Sequence, residues 1–542
     1  MNVVPEPLPG GPALAQAFLR GDEKVSHLFG GSYQHESTRQ ERAAWLDSQS
    51  DSRVDRSRLT EVLRSYNAKF NHHEAVRRSL ELLEQPETLV ISGGQQSGLF
   101  TGPLLVIYKI ITTITAAREA SEELGRPVVP LFWIAGEDHD WDEVNHTYVL
   151  DRSGEVVKLK IEAEETGRSP VSYIPVGEES FARPLEQLGE LLQESEFKQE
   201  IMELASNAAR QGSMTSAFAE MIGALFGRFG LILLDSADPA LRALEKPLFR
   251  ALIEKNDDLE AAYHKTADDI FSGGHELQAD VAAGGANLFY IHEGMRLLLV
   301  KKDGSFTDRK GHVAFSKEEL LELLERHPER FSNNVLTRPL MHEYLLPVLA
   351  TVLGQGEISY WGITGRAFAE LGMKMPPILP RMSYTVVEGT LHKHMEKYGL
   401  TFEDVREGLE EKKRSWLESQ DELQLGRKFA EVKASFASMY DPLIEEIGTV
   451  QAGLLKLGAA NKEKILDQID FLEGKVVSAM AKQSEAALRQ WERIECSLMP
   501  LGRLQERVYN VTYYLNKYGL SWLEHLLELP ADYSGTHRVL YM

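Results

Sequence analysis

The sequence is poor in the features that mark secreted proteins, membrane proteins and cysteine-ligated zinc proteins. It contains a single cysteine, Cys496, so one chain can form neither an internal disulfide nor a multi-cysteine zinc site. No stretch approaches the roughly 20 apolar residues that a membrane-spanning helix needs. The first residues, MNVVPEPLPGGPALAQ, lack the basic segment and apolar run of a secretion signal. We therefore expect a cytoplasmic protein with no membrane partner and no zinc.

Positive charge is scarce as well. The chain has 59 basic and 82 acidic residues, which give a net charge of -23 at pH 7. Proteins that bind nucleic acids rely on basic surface, which displaces counterions from phosphates, so nucleic acid is not an expected partner. The content of 43% hydrophobic and 26% charged residues is that of a folded protein, and 542 residues suffice for two or three domains. Small ligands are the favoured partners.

The segment that begins near residue 86 carries the pattern of an α/β fold. ETLVIS and PVVPLFWIAG are β-rich runs, and TGPLLVIYKIITTITAAREASEELG between them has the length and spacing of an amphipathic helix. Strand, long helix and strand in this order form a right-handed crossover of a parallel sheet. We predict such a core over residues 86–390, with insertions at about 155–228 and 265–330, and a helical part over residues 1–85 that packs on it.

Residues 391–500 have the spacing of long helices. Apolar residues recur every three or four positions in two stretches, which predicts an antiparallel hairpin coiled coil with a break in GLLKLGAANKE, residues 453–463. The helical tail, residues 501–542, is predicted to return to the core. Such a hairpin commonly mediates dimerisation, although it could equally pack on its own chain, and we expect a homodimer. The repeating positions are Phe429, Val432, Phe436, Met439 and Leu443, then Ile465, Ile469, Leu472 and Val476.

A loop rich in glycine and glutamine follows the first predicted strand. It contains Gly94, Gln95, Gln96, Ser97 and Gly98 and leads into the long helix. Free backbone N–H groups and the helix dipole at such a turn favour a carboxylate or a phosphate. The alternative is a turn that needs glycine for positive φ, which leaves the paired glutamines unexplained. Dinucleotide and P-loop patterns are absent, so we predict that this loop binds substrate.

An acidic cluster, EDHDWDEVNH, follows the second strand. Asp138, His139 and Asp142 belong to it, and the crowding of its carboxylates predicts raised pKa values. Three functions fit such a cluster: binding of an ammonium group, coordination of magnesium beside phosphates, or general base catalysis. Zinc is less suited because no thiolate is near. Helix capping would explain two or three of the acids and leave the others without a role.

Two later segments carry residues suited to anions. Arg338 stands directly before a proline, which favours a guanidinium presented to a cleft over a surface salt bridge, and Tyr360 lies further along the same segment. LPRMSYT combines a cation with hydroxyl groups that suit a polyphosphate, although an ordinary polar loop is the alternative. The residues that we assign to nucleotide binding there are Arg381, Ser383, Tyr384 and Thr385.

The segment before the tail offers a second place for a nucleotide. Arg489 and Arg503 flank Trp491, and arginines beside an exposed tryptophan can hold a nucleotide by stacking and phosphate contact. The alternative is a solvated face of the coiled coil. The sequence leaves both nucleotide locations open.

Several of these segments together resemble the BshC family, the cysteine-adding enzyme of bacillithiol biosynthesis. The resemblance rests on GGQQSGLFTGPLLVIYK, PLFWIAGEDHDWDEVNH, TRPLMHEYLLPVLA, GQGEISYWG and LPRMSYT, and it extends through the coiled coil and the tail. It implies a Rossmann-like core similar to class I aminoacyl-tRNA synthetases, with connecting-peptide insertions and a helical coiled-coil domain. It also implies a reaction that joins L-cysteine to the amine of glucosaminyl-malate.

The same resemblance implies where nucleotide chemistry would occur. Gln95 and Gln96 stand where that superfamily has imidazoles, and Arg381 and Tyr384 stand where it has lysines. Activation of a carboxylate by ATP is the expected chemistry, with ATP or ADP as the nucleotide and magnesium as a possible companion. We expect Asp138, His139, Asp142 and Gln96 to be catalytic. Two alternatives stay open: a nucleotide-binding coiled-coil scaffold without ligase activity, and a nucleotidyltransferase acting on another small substrate.

Overall fold

The computed structural model describes residues 2–7, 10–49, 52–162, 167–419, 424–483 and 485–542. The chain forms two compact units. The first contains Met1–Thr385 and Arg503–Leu540, and the second contains Val386–Gly502 and Tyr541–Met542. The last stretch of the chain thus belongs mainly to the first unit.

Fifteen strands are assigned within the described residues. They are β1 (Asn2–Glu6), β2 (Leu89–Gln95), β3 (Val128–Ile134), β4 (His146–Leu150), β5 (Val156–Lys160), β6 (Ile232–Asp235), β7 (Gly285–His292), β8 (Met295–Lys302), β9 (Ser305–Asp308), β10 (Ala314–Phe315), β11 (Phe331–Asn333), β12 (Val348–Leu353), β13 (Ile378–Pro380), β14 (Ser383–Val387) and β15 (His537–Tyr541).

The α-helices of the described residues are more numerous. They are α1 (Ala13–Leu19), α2 (Glu23–Ser26), α3 (Glu36–Ser48), α4 (Arg56–Phe70), α5 (Glu74–Glu84), α6 (Leu104–Leu124), α7 (Trp141–Val144), α8 (Glu178–Leu191), α9 (Lys198–Ala209), α10 (Met214–Phe226), α11 (Pro239–Glu254), α12 (Asn256–Ser272), α13 (Lys317–Arg326), α14 (Arg338–Leu345), α15 (Gln355–Trp361), α16 (Gly365–Glu370), α17 (Gly389–Tyr398), α18 (Phe402–Glu407), α19 (Leu409–Ser419), α20 (Leu425–Val450), α21 (Gly453–Gln483), α22 (Glu485–Leu498), α23 (Val511–Tyr518) and α24 (Ser521–Leu527).

A five-stranded parallel sheet in the order β13-β12-β2-β3-β6 forms the centre of the first unit. The predicted strand–helix–strand crossover is confirmed, since β2, α6 and β3 follow one another and the two strands pair in parallel. Helix α6 ends at Gly125, whose φ of 60° is the left-handed conformation that glycine adopts most readily. Strands β3 and then β6 lie on one side of β2, and β12 and then β13 lie on its other side. The chain order therefore switches between β2 and β12, which is where open parallel sheets bind ligands.

Smaller sheets accompany the parallel one. An antiparallel sheet in the order β10-β9-β8-β7-β11 arises largely from the insertion predicted at about 265–330. Strands β4 and β5 form an antiparallel hairpin, and Ser153 and Gly154 lie in its turn. A three-stranded sheet in the order β1-β15-β14 includes Asn2–Glu6, a strand in a region predicted to be helical.

The second unit is helical, and its longest helices, α20 and α21, lie antiparallel. Lys433 of α20 donates to Asp470 of α21 at 2.8 Å. Tyr440, which comes later in α20, donates to Asn461, which comes earlier in α21, at 2.7 Å. Near the turn, a Cβ added to Gly458 would lie 3.0 Å from Ile444, so the glycine permits close approach of the helices.

The predicted break in residues 453–463 is wrong, because these residues lie within α21. The helices are separated at Gln451, which has extended backbone dihedrals. Within the described residues, no helix combines the length and apolarity that crossing a bilayer requires.

Candidate functional site

A cavity of about 360 Å³ opens at the carboxyl edge of the parallel sheet, between β2 and β12. It lies at the switch in strand order, where α/β sheets place their ligands. Its wall combines residues from the ends of β2, β3 and β12 with side chains of α6, α14 and α15. Its lining residues include Gly93, Gly94, Gln95, Gln96, Leu105, Lys109, Trp133, Asp138, Arg338, His342, Leu353, Gly354, Gln355, Glu357, Tyr360, Arg381 and Arg507.

The glycines at the end of β2 allow close packing of the sheet beside the cavity. A Cβ added to Gly94 would lie 2.6 Å from the carbonyl oxygen of Trp133, and one added to Gly93 would lie 2.5 Å from Thr113 Oγ1. Gly94 is not among the glycines with positive φ, so a left-handed turn does not explain it. Gln95 and Gln96 follow directly and face the cavity, as a substrate-binding loop requires.

The rest of the loop turns away from the cavity. Ser97 is buried, and its Oγ lies 3.1 Å from Thr215 Oγ1. Gly98 packs against Gly102, since an added Cβ would lie 2.7 Å from the Cα of that glycine. Neither residue lines the cavity, so the structure places only the first half of the predicted loop there.

The sequence predicts that the loop leads straight into α6, but in the structure it does not. A turn with positive φ at Phe100, Thr101 and Gly102 comes first, and its carbonyls are held by the buried side chain of Asn510. Asn510 Nδ2 donates to Phe100 at 2.7 Å and to Gly102 at 2.8 Å. The first N–H of α6, on Leu104, donates to the carbonyl of a tail residue at 2.8 Å. This N–H is therefore not free for an anion, which corrects the expectation of a fully open helix start.

Lys109 is a buried cation that the sequence analysis missed. Its Nζ donates to the Gly94 carbonyl at 2.8 Å, to Gln95 Oε1 at 2.9 Å and to Glu357 Oε2 at 2.6 Å. Burial lowers the pKa of Lys109, and the Glu357 carboxylate opposes that shift. The available signal was a single charged residue inside the apolar run LLVIYKIITT.

The acidic cluster after β3 is divided among different environments. Glu137 is 1% exposed and accepts from Arg242, from Arg338 Nε at 3.0 Å and from Ser332 Oγ at 2.8 Å. Burial acts to raise the pKa of Glu137, but the surrounding guanidinium groups, Arg242 first, lower it to about 2. The predicted rise through mutual repulsion is therefore wrong for this carboxylate, because arginines distant in sequence neutralise it.

Asp138 faces the cavity beside the glutamine loop. Its Oδ1 accepts from Arg338 Nη2 at 2.9 Å and lies 3.5 Å from Arg296 Nη1. Among the described residues, the one contact that its Oδ2 receives is a long one of 3.5 Å from Gln96 Nε2. Gln96 and Asp138 thus share one hollow, and Oδ2 retains capacity to accept a further hydrogen bond.

His139 and Asp142 do not line the cavity. The imidazole nitrogens of His139 lie 2.8 Å from Arg168 Nη2 and 3.1 Å from Arg296 Nη1. Burial, followed by the positive charge of Arg296, lowers the pKa of His139. Asp142 is exposed on the short helix α7 and accepts from Asn145 at 3.3 Å. The chain turns after Asp138, so the later members of the cluster lead away from the site.

Helix α14 brings two side chains to the cavity from one face. Arg338 is its first residue, followed by proline, and His342 lies one turn later. The His342 ring packs against Trp133, with ring centroids 3.8 Å apart and an angle of 39° between the ring planes. Burial, followed by the charge of Arg338, lowers the pKa of His342 to about 3. Tyr360 also lines the cavity, and burial raises its pKa. Both predicted substrate residues of this region, Arg338 and Tyr360, therefore lie at the cavity.

Arg381 also lines the cavity, in a fixed orientation. Its guanidinium forms two hydrogen bonds to Glu506, at 2.8 and 2.7 Å. Arg507, the next residue of the tail, lines the same cavity and a neighbouring hollow of about 190 Å³. The sequence predicts Arg507 only as one of the arginines near Trp491 and gives no role to Glu506, because nothing local to the tail links them to Arg381.

The three residues predicted to accompany Arg381 face strand β15. Ser383 Oγ lies 2.6 Å from His537 Nδ1, and Thr385 Oγ1 lies 2.8 Å from His537 Nε2. The Tyr384 hydroxyl is buried and accepts from Arg538. None of the three lines the larger cavity, although Ser383 lines the neighbouring hollow.

The second location predicted for a nucleotide, around Trp491, is not an exposed aromatic surface. Trp491 is 1% exposed, so the expectation of an exposed tryptophan is wrong. Its ring packs within the second unit against Tyr398, with centroids 4.9 Å apart. Arg489 lies 3.6 Å from Glu485 on the same helix, and Arg503 is exposed in the first unit. Within the described residues, no three His, Cys, Asp or Glu side chains are grouped as a metal site.

Comparison with known proteins identifies the family. Residues 1–382 match the sequence model for the bacillithiol biosynthesis BshC N-terminal Rossmann-like domain, and residues 384–542 match that for the BshC C-terminal coiled-coil domain. The chain belongs to the BshC family. Its fold class is therefore confirmed as a Rossmann-like parallel core with a coiled-coil domain, as both the sheet and the family models show.

Relatives within the BshC family match over nearly the whole chain. A protein of Geobacillus sp. (strain WCH70) is 37% identical over 98% of both chains, and one of Geobacillus kaustophilus (strain HTA426) is 37% identical over 100% of both. A protein of Bacillus licheniformis is 34% identical over 96% of both chains. Each is named "Putative cysteine ligase BshC". Membership in this family supports a ligase of bacillithiol biosynthesis.

Proposed function

We propose that this protein is a cytoplasmic ligase that joins the carboxyl group of L-cysteine to the amine of glucosaminyl-malate. The observation that carries the proposal is a charged cavity at the switch point of the parallel sheet, where Gln96, Asp138 and Arg338 meet. Small metabolites with both ammonium and carboxylate groups suit a wall that offers an aspartate, amides and guanidinium groups. The names of the relatives supply the amino acid, and the resemblance supplies the acceptor.

Asp138 is the proposed general base. The amine of the acceptor attacks the activated carboxyl group of cysteine, the C–N bond forms as the bond from the carboxyl carbon to the phosphate-containing leaving group breaks, and the nitrogen loses one proton. Oδ2 of Asp138 is suited to take this proton, because its single contact within the described residues is the long one from Gln96. Arg338 and Arg296 hold Oδ1 and fix the carboxylate. His139 and Asp142 do not line the cavity, so we assign no proton transfer to them.

ATP is the proposed co-substrate, with magnesium as its counter-ion. Amide formation from a free carboxylate needs activation, and ATP supplies the free energy for it. We place the phosphates on the side of the cavity lined by Arg381 and Arg507, where guanidinium groups suit phosphoryl oxygens. The packing of Trp491 among aromatic side chains favours this location over the second unit.

A homodimer formed through α20 and α21 is also part of the proposal. These helices carry large apolar side chains that a single chain leaves in contact with water, including Val432 at 53% and Met439 at 72% exposure. Exposed apolar surface of this kind is characteristic of a protein interface.

The function is tested with purified full-length protein, L-cysteine, glucosaminyl-malate, ATP and magnesium, with the product measured by mass spectrometry. We expect an amide product, and we expect Asp138→Asn to lower kcat/KM by about 100-fold or more, because general base catalysis typically contributes that much. Asp140→Asn is the matched control, since Asp140 is exposed and adjacent. It should retain kcat/KM within about threefold.

Three results would contradict the proposal or part of it. No product from the wild-type protein would leave a nucleotide-binding scaffold as the better explanation. Pyrophosphate release without cysteine would instead indicate a nucleotidyltransferase for another substrate. Equal activity of the Asp138 and Asp140 variants would remove Asp138 from the mechanism.

A further inference from the structure

Lys109 is a buried part of the cavity wall, and its ammonium group lies among three acceptors. The side chain is 1% exposed and projects from α6 towards the end of β2. An ammonium group has three N–H donors and no acceptor. The three oxygens around it, on Gly94, Gln95 and Glu357, use all three donors at 2.6 to 2.9 Å.

This arrangement fixes the orientation of the Gln95 carboxamide. Because a lysine ammonium can only donate, the atom of Gln95 that faces it must be the oxygen. The nitrogen, Nε2, therefore points the other way. Gln95 lines the cavity, and Nε2 has no hydrogen-bond partner among the described residues. Gln95 thus offers two N–H donors to whatever occupies the cavity.

The charges around the cavity indicate that the occupant is an anion. Lys109 is paired with Glu357, Arg338 with Asp138, and Arg381 with Glu506. Arg507 also lines the cavity and has no carboxylate partner within the described residues. An oxyanion would satisfy both this guanidinium and the amide donors of Gln95, since charge-assisted hydrogen bonds to oxygen are the strong ones.

We propose that Lys109 is a positioning residue that holds the Gln95 amide nitrogen towards the cavity, where Gln95 and Arg507 bind an oxyanion of the substrate. The oxyanion is a carboxylate of the acceptor or a phosphoryl group of the nucleotide, which share this hydrogen-bonding chemistry. The inference rests on the proposed function for the identity of the substrate. It extends that function by naming the donor atoms and the residue that orients them.

The test measures equilibrium binding of L-malate and of pyrophosphate to the full-length protein by calorimetry. Gln95→Glu keeps an oxygen acceptor for Lys109 but replaces the donor that faces the cavity with a second oxygen. We expect it to weaken binding of at least one anion by about tenfold or more. The anion that is affected identifies the source of the oxyanion. Gln95→Met, which is neutral, should weaken the same anion.

Gln355→Glu is the matched control for the added charge. Gln355 lines the same cavity, and its Oε1 accepts from Gln16 at 3.1 Å, so this substitution also preserves an existing acceptor. If charge alone were responsible, both glutamate variants would lose equal affinity. We expect a loss of less than about threefold for Gln355→Glu.

The positioning role is tested by a double-mutant cycle. Lys109→Met should weaken the same anion in the wild-type background and have no further effect in the Gln95→Met background, because the amide that it orients is already absent. A merely structural lysine would lower affinity equally in both. If Lys109→Met does not fold, the cycle uses Lys109→Met with Glu357→Met, which leaves no unpaired buried charge.

Unchanged affinity of Gln95→Glu for both anions would overturn the inference, as would equal losses in the two glutamate variants. Failure of the wild-type protein to bind either anion would overturn it too. These outcomes are separate from the fate of the proposed ligase reaction, which is measured by product formation. Ligation by the wild-type protein with unchanged anion binding in Gln95→Glu would overturn the inference alone.

Discussion

The charged side chains beneath the cavity and those on the long helices of the second unit differ in their access to water. Glu137 and Arg242 are 1% and 2% exposed and take part in a network with Glu245, which is also buried. Lys433, on α20, is 30% exposed, and its partner Asp470 is 57% exposed. Both regions contain short ion pairs, so distance alone does not separate them.

The comparison shows that an ion pair is important for the stability of the fold where it is buried and contributes little where it is exposed. A buried carboxylate that loses its partners pays a large desolvation penalty, whereas an exposed pair exchanges its partner for water. The network around Glu137 links the segment after β3 to α11, β11 and α14, and α14 carries Arg338 into the cavity wall. The ion pairs between α20 and α21 join two helices that already pack closely at Ile444 and Gly458.

The largest effect should follow from Glu137→Gln. This variant removes the charge that neutralises Arg242 and Arg338, and we expect the free energy of unfolding to fall by about 3 kcal/mol, the order found for broken buried pairs. Urea unfolding measures it. Glu143→Gln is the control, since Glu143 is exposed in the same acidic segment, and it should change stability by less than about 0.5 kcal/mol.

Unfolding at lower pH provides a second measurement on the wild-type protein and Glu137→Gln. The pKa of Glu137 is lowered from 4.5 to about 2, so its contribution to stability is fully present above pH 4.5 and is lost as the pH falls towards 2. The stability difference between wild type and Glu137→Gln should therefore shrink on acidification. A difference that stays constant between pH 5 and about pH 3 would contradict the assigned pKa direction.

An intermediate effect is expected from charges placed on the exposed apolar face of α20. Met439→Glu combined with Val432→Glu should weaken dimerisation by about tenfold or more, because both side chains would have to be buried with a charge. Analytical ultracentrifugation measures the association, and circular dichroism checks that helix content is unchanged. A wild-type protein that is monomeric at micromolar concentration would refute the dimer itself.

The smallest effect should come from Lys433→Met. Lys433 bonds Asp470 and Glu473 on α21, but these groups are partly exposed, so we expect a loss below about 1 kcal/mol that diminishes at high salt. Thermal unfolding at low and high ionic strength tests this. A loss as large as that of Glu137→Gln would invalidate the distinction between the two regions.

Local patterns predicted the parts of the site that depend on local structure. Apolar runs separated by a long amphipathic stretch predict β2, α6 and β3. Because the carboxyl ends of parallel strands lie at one edge, the two polar segments that follow β2 and β3 meet there through Gln96 and Asp138. Their partners could not be predicted in this way. Glu137 and Arg242 are 105 residues apart, and no periodicity relates residues across such a distance.

Glycine was the least reliable guide. In the second unit, the glycine-containing stretch 453–463 was predicted to break the hairpin, yet it is helical. Gly448 and Gly458 instead allow the two helices to approach, since an added Cβ would meet Leu455 at 2.5 Å and Ile444 at 3.0 Å. Sequence alone does not distinguish a glycine that ends a helix from one that admits a neighbouring helix.

The side chain of Asn510 has a consequence for biosynthesis. It holds the left-handed turn at Phe100 and Gly102, while Glu506 fixes Arg381 and Arg507 lines the cavity. Synthesis must therefore proceed past these residues before the cavity wall can be complete. A nascent chain that stops before Glu506 contains all the strands of the parallel sheet but lacks part of the wall.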